Sequence, residues 1–224
     1  MSTSEYAVAS GLKQLGKGPF PTHLPVIEEA DATGEIAEAY QYFRDHFGRP
    51  TVPGILKCFS SSPAMLRIII QLGSTLVFSE GVLGRRMKEM IATYVSSLNE
   101  CPYCLDSHAA SLCGQGGAEA LMNALVKGDL GDVSISTPEG YLLEFVRKVT
   151  VESYQVADTD ILNLRASGWD EKQIAESIHV AAMFACFNRV ANAFGLPSQD
   201  LLGHLHDTGR SKHEEDTSIN EKTS

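Results

Sequence analysis

Positive charge is scarce in this sequence of 224 residues, which holds 18 Lys and Arg against 28 Asp and Glu, a formal net charge of −10. Nucleic-acid binding depends on clustered Lys and Arg that release counterions from phosphates, so we expect no nucleic-acid partner. The best basic cluster, Arg85, Arg86 and Lys88, covers a single helical turn. We expect it to be a solvated surface or a set of structural ion pairs.

Long hydrophobic runs are also missing, and none approaches the roughly 20 apolar residues that a bilayer span needs. The stretch MLRIIIQL, at Met65–Leu72, is short and contains Arg67. The first residues lack the basic-then-apolar order and the cleavage site of a signal peptide. The sequence therefore predicts a cytoplasmic protein with no membrane partner.

Cysteines are few, and their odd number, five, argues against a framework of disulfides in a reducing compartment. Catalysis, metal binding and simple burial are then their possible uses. Cys58 and Cys186 stand alone in apolar neighbourhoods, and Cys113 is about half a helical turn out of phase with Cys104. These three thiols are typical of buried, unreactive cysteines.

Alternating strand patterns and hairpin turns are almost absent, so the sequence predicts an all-α fold. An apolar stripe with helical spacing predicts an amphipathic helix from Gly84 to about Asn99. Cap residues and apolar spacing predict further helices at 36–47, 62–77, 118–127, 139–151 and 170–195. Residues 1–20 and 207–224 are polar, and we expect a flexible N-terminal tail and a disordered C-terminal tail around a single helical domain at 21–206.

One stretch, ECPYCLDSH, concentrates chemically active side chains. Cys101, Cys104 and His108 follow the spacing C-x2-C-x3-H, which places them on one face of a helix. Pro102 suits the first helical position, so Cys101 would lie near the N-cap and Cys104 in the first turn. Unpaired backbone N–H groups and the helix dipole stabilise a thiolate there. On helix geometry alone, Cys101 is the stronger candidate nucleophile.

A histidine and a carboxylate are candidates for moving the thiol proton. His108 exchanges protons near neutral pH, and a carboxylate from the preceding helix would orient its ring. Glu89, twelve residues before Cys101, is the candidate carboxylate.

Other uses of these residues remain open at the level of the sequence. With His108, the two cysteines offer three zinc ligands, and a closed tetrahedral site would need His179 or Cys186 as the fourth. A c-type haem is excluded, because its histidine must directly follow the second cysteine, where Leu105 stands. A non-enzymatic redox sensor, or two inert cysteines beside a core histidine, are the other interpretations.

The order Glu89, Cys101-Pro102-Tyr103-Cys104, His108 resembles the signature of the carboxymuconolactone decarboxylase and alkylhydroperoxidase-D-like superfamily, in its peroxidase-related branch. The surrounding LGRRMKEMIATYVSSLNECPYCLDSH is similar to that branch, and FACFNRVANAFGLP is similar to its C-terminal helix. The likeness extends over roughly residues 20–200. The Glu-Cys-Cys-His spacing is its most specific part.

The resemblance implies an alkylhydroperoxidase-D-like helical bundle in which a helix hairpin carries the CxxC motif, assembled into homo-oligomers. It implies a peroxidase or disulfide reductase that reduces hydrogen peroxide or organic hydroperoxides, without metal or organic cofactor. The electron donor would be a thiol or dithiol of unknown identity. The ring-lactone decarboxylases of the same superfamily are the alternative, but they do not depend on a C-x2-C pair.

The resemblance also implies a role for each matched residue. Cys104 would be the peroxidatic cysteine and Cys101 the resolving one, with His108 as the base for the Cys104 thiol and Glu89 as a proton relay. Tyr103 stands where the best-understood enzymes of the family carry a second histidine. A phenol, with a pKa of about 10, cannot shuttle protons at neutral pH. Tyr103 is therefore expected to donate a hydrogen bond to a peroxide, line the pocket or pack at an oligomer contact.

Overall fold

The computed structural model describes residues 21–201, and within this range it contains helices and turns but no strand. The prediction of an all-α fold is confirmed. The helices, in chain order, are α1 (Gly34–Phe47), α2 (Gly54–Lys57), α3 (Pro63–Gly73), α4 (Arg85–Leu98), α5 (Pro102–Gly114), α6 (Glu119–Lys127), α7 (Thr137–Glu152), α8 (Asp158–Ala166) and α9 (Glu171–Phe194). The predicted tails, and residues 202–206 of the predicted domain, lie outside the described residues. No helix within 21–201 has the length and apolarity to cross a lipid bilayer.

Most helix ends stand where the cap residues predicted them. The Ser62 hydroxyl accepts the Met65 N–H at 3.4 Å at the start of α3. Asp170 accepts the N–H groups of Lys172 and Gln173 at 2.8 and 2.9 Å and so begins α9. Three helices end at a glycine in the left-handed conformation, namely Gly48, Gly128 and Gly195.

Several short elements are not predicted by the sequence, among them a 3-10 turn at Ser153–Gln155. Helix α2 is a single turn, and α8 buries only Leu164, so neither gives an apolar stripe that could be recognised. The predicted helix at 62–77 is in fact α3 followed by a π-helical turn at Ser74–Phe78.

Helix α4 runs through the larger hydrophobic core and packs against α5, α6, α7 and α9. Every residue from Met87 to Ser96 is buried, so the predicted amphipathic helix is instead enclosed on all sides. The expectation of a solvated basic surface is wrong, because the side chain of Lys88 is fully buried. The alternative expectation is the one observed, since the three basic residues form ion pairs: Arg85 with Glu89, Arg86 with Glu139, and Lys88 with Glu176.

The buried Lys88 ammonium fixes the segment before α4 against α9. Its Nζ lies 2.9 Å from Glu176 Oε1 and donates to the Ser79 carbonyl oxygen at 3.0 Å. Glu176 Oε2 accepts the Leu83 N–H at 2.6 Å. A Cβ at Gly81 would clash with the Glu176 carboxylate, so a larger residue at this position would displace the Lys88–Glu176 pair.

The N-terminal helices form a second, smaller apolar cluster in which α1 and α3 pack together. The Tyr40 hydroxyl donates to the Ile27 carbonyl oxygen at 2.8 Å and holds the segment before α1 against it. Phe187 of α9 contacts both this cluster and the larger core. A cavity lies between the N-terminal helices and the pair α5 and α9.

Candidate active site

A tight turn between α4 and α5 places the two cysteines at the start of α5. The Glu100 N–H donates to the Ser97 carbonyl oxygen at 3.0 Å, and the Cys101 N–H donates to that of Ser96 at 2.9 Å. These two bonds form a Schellman ending of α4. Glu100 has a φ of 49°, in the left-handed region where glycine is the usual residue. Cys101 then forms the N-cap of α5, as the sequence predicted.

The side chains of Cys101 and Cys104 meet in a buried site, and only 1% and 3% of their surfaces are exposed. Both thiols are free. The Cys104 thiol donates a hydrogen bond to the Cys101 sulfur, and this bond, helped by the backbone N–H groups of Cys104 and Tyr103, lowers the pKa of Cys101 despite its burial. The same bond, together with burial, raises the pKa of Cys104. Negative charge on the reduced pair is therefore favoured at Cys101.

A fully buried amide, that of Asn188 on α9, lies against both sulfurs. Its Oδ1 accepts a hydrogen bond from Asn99 Nδ2 at 3.0 Å, and its Nδ2 donates to Ser96 Oγ at 3.0 Å. The amide lowers both thiol pKa values against the effect of burial, because a neighbouring N–H group favours the thiolate. The sequence does not identify Asn188, since no spacing connects a residue of α9 to the motif.

Glu89 is fully buried in α4 and lies between two basic side chains. Its Oε2 is 2.7 Å from Nδ1 of His108, and its Oε1 accepts two hydrogen bonds from the Arg85 guanidinium, that from Nε at 2.8 Å. Burial alone would raise the pKa of Glu89, but His108 and Arg85 lower it below the usual value. The carboxylate is therefore ionised at neutral pH. It fixes a proton at Nδ1 of His108 and leaves Nε2 for chemistry.

The expected partnership of Glu89 and His108 thus corresponds to a direct contact in the structure. Arg85 was not expected to take part in the site. Its position four residues before Glu89 on one helix is the sequence signal that could have revealed it.

A cavity of about 990 Å³ opens beside Cys104. Cys104, His108 and Tyr103 line it, whereas Cys101 does not. The His108 ring packs edge-on against Phe184, with ring centroids 4.5 Å apart. A small molecule in the cavity would therefore contact Cys104 and His108, whereas Cys101 does not line the cavity.

Tyr103 forms part of the cavity wall. Its hydroxyl accepts the Ile55 N–H at 3.3 Å and so connects α5 to α2. Burial raises the pKa of Tyr103 to about 12, which keeps the phenol neutral. Of the expected roles, lining the pocket is the one that matches its position.

The other cysteines differ in their surroundings. Cys58 packs in the same small apolar cluster as Cys101 and Cys104, which the sequence did not suggest. Burial raises the pKa of Cys58 to about 12, so this thiol is protonated at neutral pH. The Cys113 sulfur lies 3.1 Å from that of Met122, and Cys186 is exposed on α9; the expectation that Cys186 is buried is therefore wrong.

The zinc alternative lacks a set of ligands in the described part of the chain. Within residues 21–201, no three His, Cys, Asp or Glu side chains converge as metal ligands. His179 and Cys186, either of which would have to complete the site, are both exposed on α9.

Comparisons with known proteins point to one superfamily. Residues 63–128 match the carboxymuconolactone decarboxylase family. A curated protein of Paracoccus denitrificans, uncharacterized protein 4 in the cox locus, is 34% identical over 53 residues, which are 23% of this chain. The chain spans about half the length of that relative, 48%.

Two solved structures share most of the fold. One, from Ralstonia eutropha, is described as an alkylhydroperoxidase AhpD core and an uncharacterized peroxidase-related protein; it is 25% identical, with a TM-score of 0.71 over 80% of this chain and 94% of its own. The other, an uncharacterized peroxidase-related protein from Silicibacter, is 27% identical, with a TM-score of 0.72 over 84% and 97%. The family match over residues 63–128 and the two similar structures together support the carboxymuconolactone decarboxylase and alkylhydroperoxidase-D-like superfamily for this chain.

Proposed function

We propose that the protein is a dithiol peroxidase in which Cys104 reacts with the peroxide and Cys101 closes a disulfide. The observation that carries this proposal is the placement of the two sulfurs. Cys104 lines the cavity together with His108, and Cys101 contacts Cys104 from outside the cavity. A peroxide that enters the cavity would therefore meet Cys104. Cys101 lies close enough to attack the sulfenic acid that then forms on Cys104.

The reaction begins with proton transfer from the Cys104 thiol to Nε2 of His108. The thiolate attacks the terminal peroxide oxygen, the O–O bond breaks, and the sulfur takes the hydroxyl group as a sulfenic acid. The leaving oxygen takes the proton from His108 and departs as an alcohol or, from hydrogen peroxide, as water. Cys101 then attacks the sulfenic sulfur, which forms the disulfide and releases water. An external thiol or dithiol returns the pair to the reduced state.

The Glu89 carboxylate supports this sequence by stabilising the imidazolium that His108 forms. It is buried and 2.7 Å from Nδ1, so the ion pair acts in a region of low dielectric. Arg85 holds Glu89 ionised and prevents it from taking the proton itself. Glu89 and Arg85 are accordingly positioning residues, since both act through His108.

The test is to titrate the fully reduced protein with hydrogen peroxide and with cumene hydroperoxide, trap the free thiols, and map the products by mass spectrometry. We expect two thiols to be lost and a bridge between Cys101 and Cys104, with Cys58, Cys113 and Cys186 unchanged. The disulfide should open again with a dithiol reductant. Peroxide that is not consumed, or a bridge elsewhere, would show that the proposal is wrong.

A further inference from the structure

The cavity beside Cys104 is far larger than hydrogen peroxide requires. Its volume of about 990 Å³ is at the upper end of the range for small-molecule sites, roughly 300–1,000 Å³. Hydrogen peroxide occupies about the volume of two waters, roughly 60 Å³. Much of the wall is apolar, with side chains that include Phe43, Phe47, Ile69, Ile70, Met183 and Phe187. Such a wall favours a long apolar molecule, because binding removes its surface from water.

Among residues 21–201, the acidic and basic side chains that line the cavity are Glu29, Arg49, Lys57 and His108. Glu29 lies 2.7 Å from Arg44 and 3.8 Å from Lys57, and Lys57 lies 2.7 Å from Glu28. His108 is paired with Glu89. Glu29, Lys57 and His108 therefore each have a partner of opposite character within the protein.

Arg49 differs from these three. Among residues 21–201, no carboxylate lies within ion-pair distance of its guanidinium. The guanidinium carbon is 5.6 Å from the centre of the Phe78 ring, which also lines the cavity. Arg85 lies over the same ring at 4.5 Å, but its charge is balanced by Glu89. The ring holds Arg49 at the cavity by a cation–π contact and leaves its hydrogen-bond donors available.

We propose that the natural substrate is a long-chain hydroperoxide that carries a carboxylate, as a peroxidised fatty acid does. Its chain would occupy the cavity, and its carboxylate would bind the planar donor fork of Arg49. The identification as a substrate rests on the peroxidase function proposed above. The binding mode depends only on the cavity and on Arg49.

The kinetic test compares a linoleic acid hydroperoxide with its methyl ester, which has the same chain and no charge. For the unaltered protein, kcat/KM should be roughly tenfold to a hundredfold higher for the acid than for the ester. This is the factor that one charge-assisted hydrogen bond contributes to binding. Arg49→Gln should remove this preference by raising KM for the acid to the value for the ester. Arg67→Gln, which changes an exposed arginine of α3 that does not line the cavity, is the matched control.

The binding test uses linoleate and methyl linoleate, which carry no peroxide, in titration calorimetry of the same three proteins. Linoleate should bind more tightly than the ester, and Arg49→Gln, but not Arg67→Gln, should abolish the difference. Equal binding of acid and ester, or a difference that persists in Arg49→Gln, would overturn the inference even if hydrogen peroxide is consumed. Selective binding without any peroxide consumption would reject the peroxidase function and keep the carboxylate site.

Discussion

At the scale of single residues, the surroundings of the two cysteines favour different sulfurs as the nucleophile. Backbone N–H groups and the Cys104 thiol favour negative charge on Cys101, whereas the cavity gives access to Cys104. The attacking sulfur must both reach the substrate and lose its proton. In the proposed mechanism, His108 reconciles the two requirements, because a base at the cavity wall would take the proton from Cys104.

Serine variants separate the two roles. Cys104→Ser should abolish peroxide consumption. Cys101→Ser should retain a single turnover that stops at a sulfenic acid, because the first attack needs only one thiolate. Stopped-flow peroxide assays and trapping of the sulfenic acid measure both outcomes. The opposite outcome is a sulfenic acid on Cys101 in the Cys104→Ser protein, formed as fast as in the unaltered protein. It would show that the nucleophile is Cys101, at the N-cap of α5.

The contact between Glu89 and His108 leads to a prediction about pH. His108→Gln should slow the first turnover by roughly 10²- to 10⁴-fold, the usual cost of losing a general base, and Glu89→Gln by less. Arg85 lowers the pKa of Glu89, so Arg85→Gln should raise that pKa and move the acid limb of the rate profile to higher pH. Rates from pH 4 to 8 test this, with Arg165→Gln on the exposed surface of α8 as control. An unshifted acid limb would contradict the role of Arg85.

At the scale of helices and turns, the ending of α4 carries a strained residue. Glu100 is exposed and has a positive φ, which costs a residue with a side chain roughly 1–2 kcal/mol. Glu100→Gly should therefore stabilise the protein by about 1 kcal/mol, or raise Tm by roughly 2–4 °C. Gly128 has the equivalent left-handed conformation at the end of α6, so Gly128→Ala should lower the free energy of unfolding by a similar amount. Thermal unfolding of both variants tests these two predictions. A Glu100→Gly protein with a lower Tm than the unaltered protein would contradict the first.

The helices were more predictable than the contacts within the site. Ser62-Pro63, Asp170 and the terminal glycines act through neighbouring backbone groups, so their effect is readable in the sequence. Helix α8 and the π-helical turn depend on packing against the rest of the chain, which local patterns do not contain.

The site was predictable where its residues share one helix or one hairpin. Cys101, Cys104 and His108 are regularly spaced at the start of α5. The family resemblance predicts that Glu89 belongs to the same site. Asn188 and the cavity wall come from distant parts of the sequence, and only the folded chain brings them to the cysteines.

At the scale of the whole molecule, α3 leaves an apolar stripe uncovered. Met65, Ile68 and Leu72 are 46%, 60% and 39% exposed. We expect this surface to be buried between copies of the chain, as closed homo-oligomers commonly do with such faces. Sedimentation at micromolar concentration should show a species larger than the monomer.

A charged residue in the stripe should weaken that assembly. Ile68→Lys is expected to shift the protein toward monomer, because the ammonium would lose its hydration in the interface. Val133→Lys is the matched control, since Val133 is fully exposed outside the stripe. A monomeric unaltered protein would rule out the assembly, and identical behaviour of the two variants would place the interface elsewhere.

The division of the chain between α4–α5 and the N-terminal helices has a consequence for engineering. Arg85, Glu89 and the CxxC pair with His108 lie on one hairpin, and the wall facing them comes largely from 43–78. If the protein is the peroxidase proposed above, its selectivity and its reactivity depend on different stretches of sequence. A library that varies Phe47, Arg49 and Ile69 is expected to change which molecules bind in the cavity, while the α4–α5 hairpin remains unaltered.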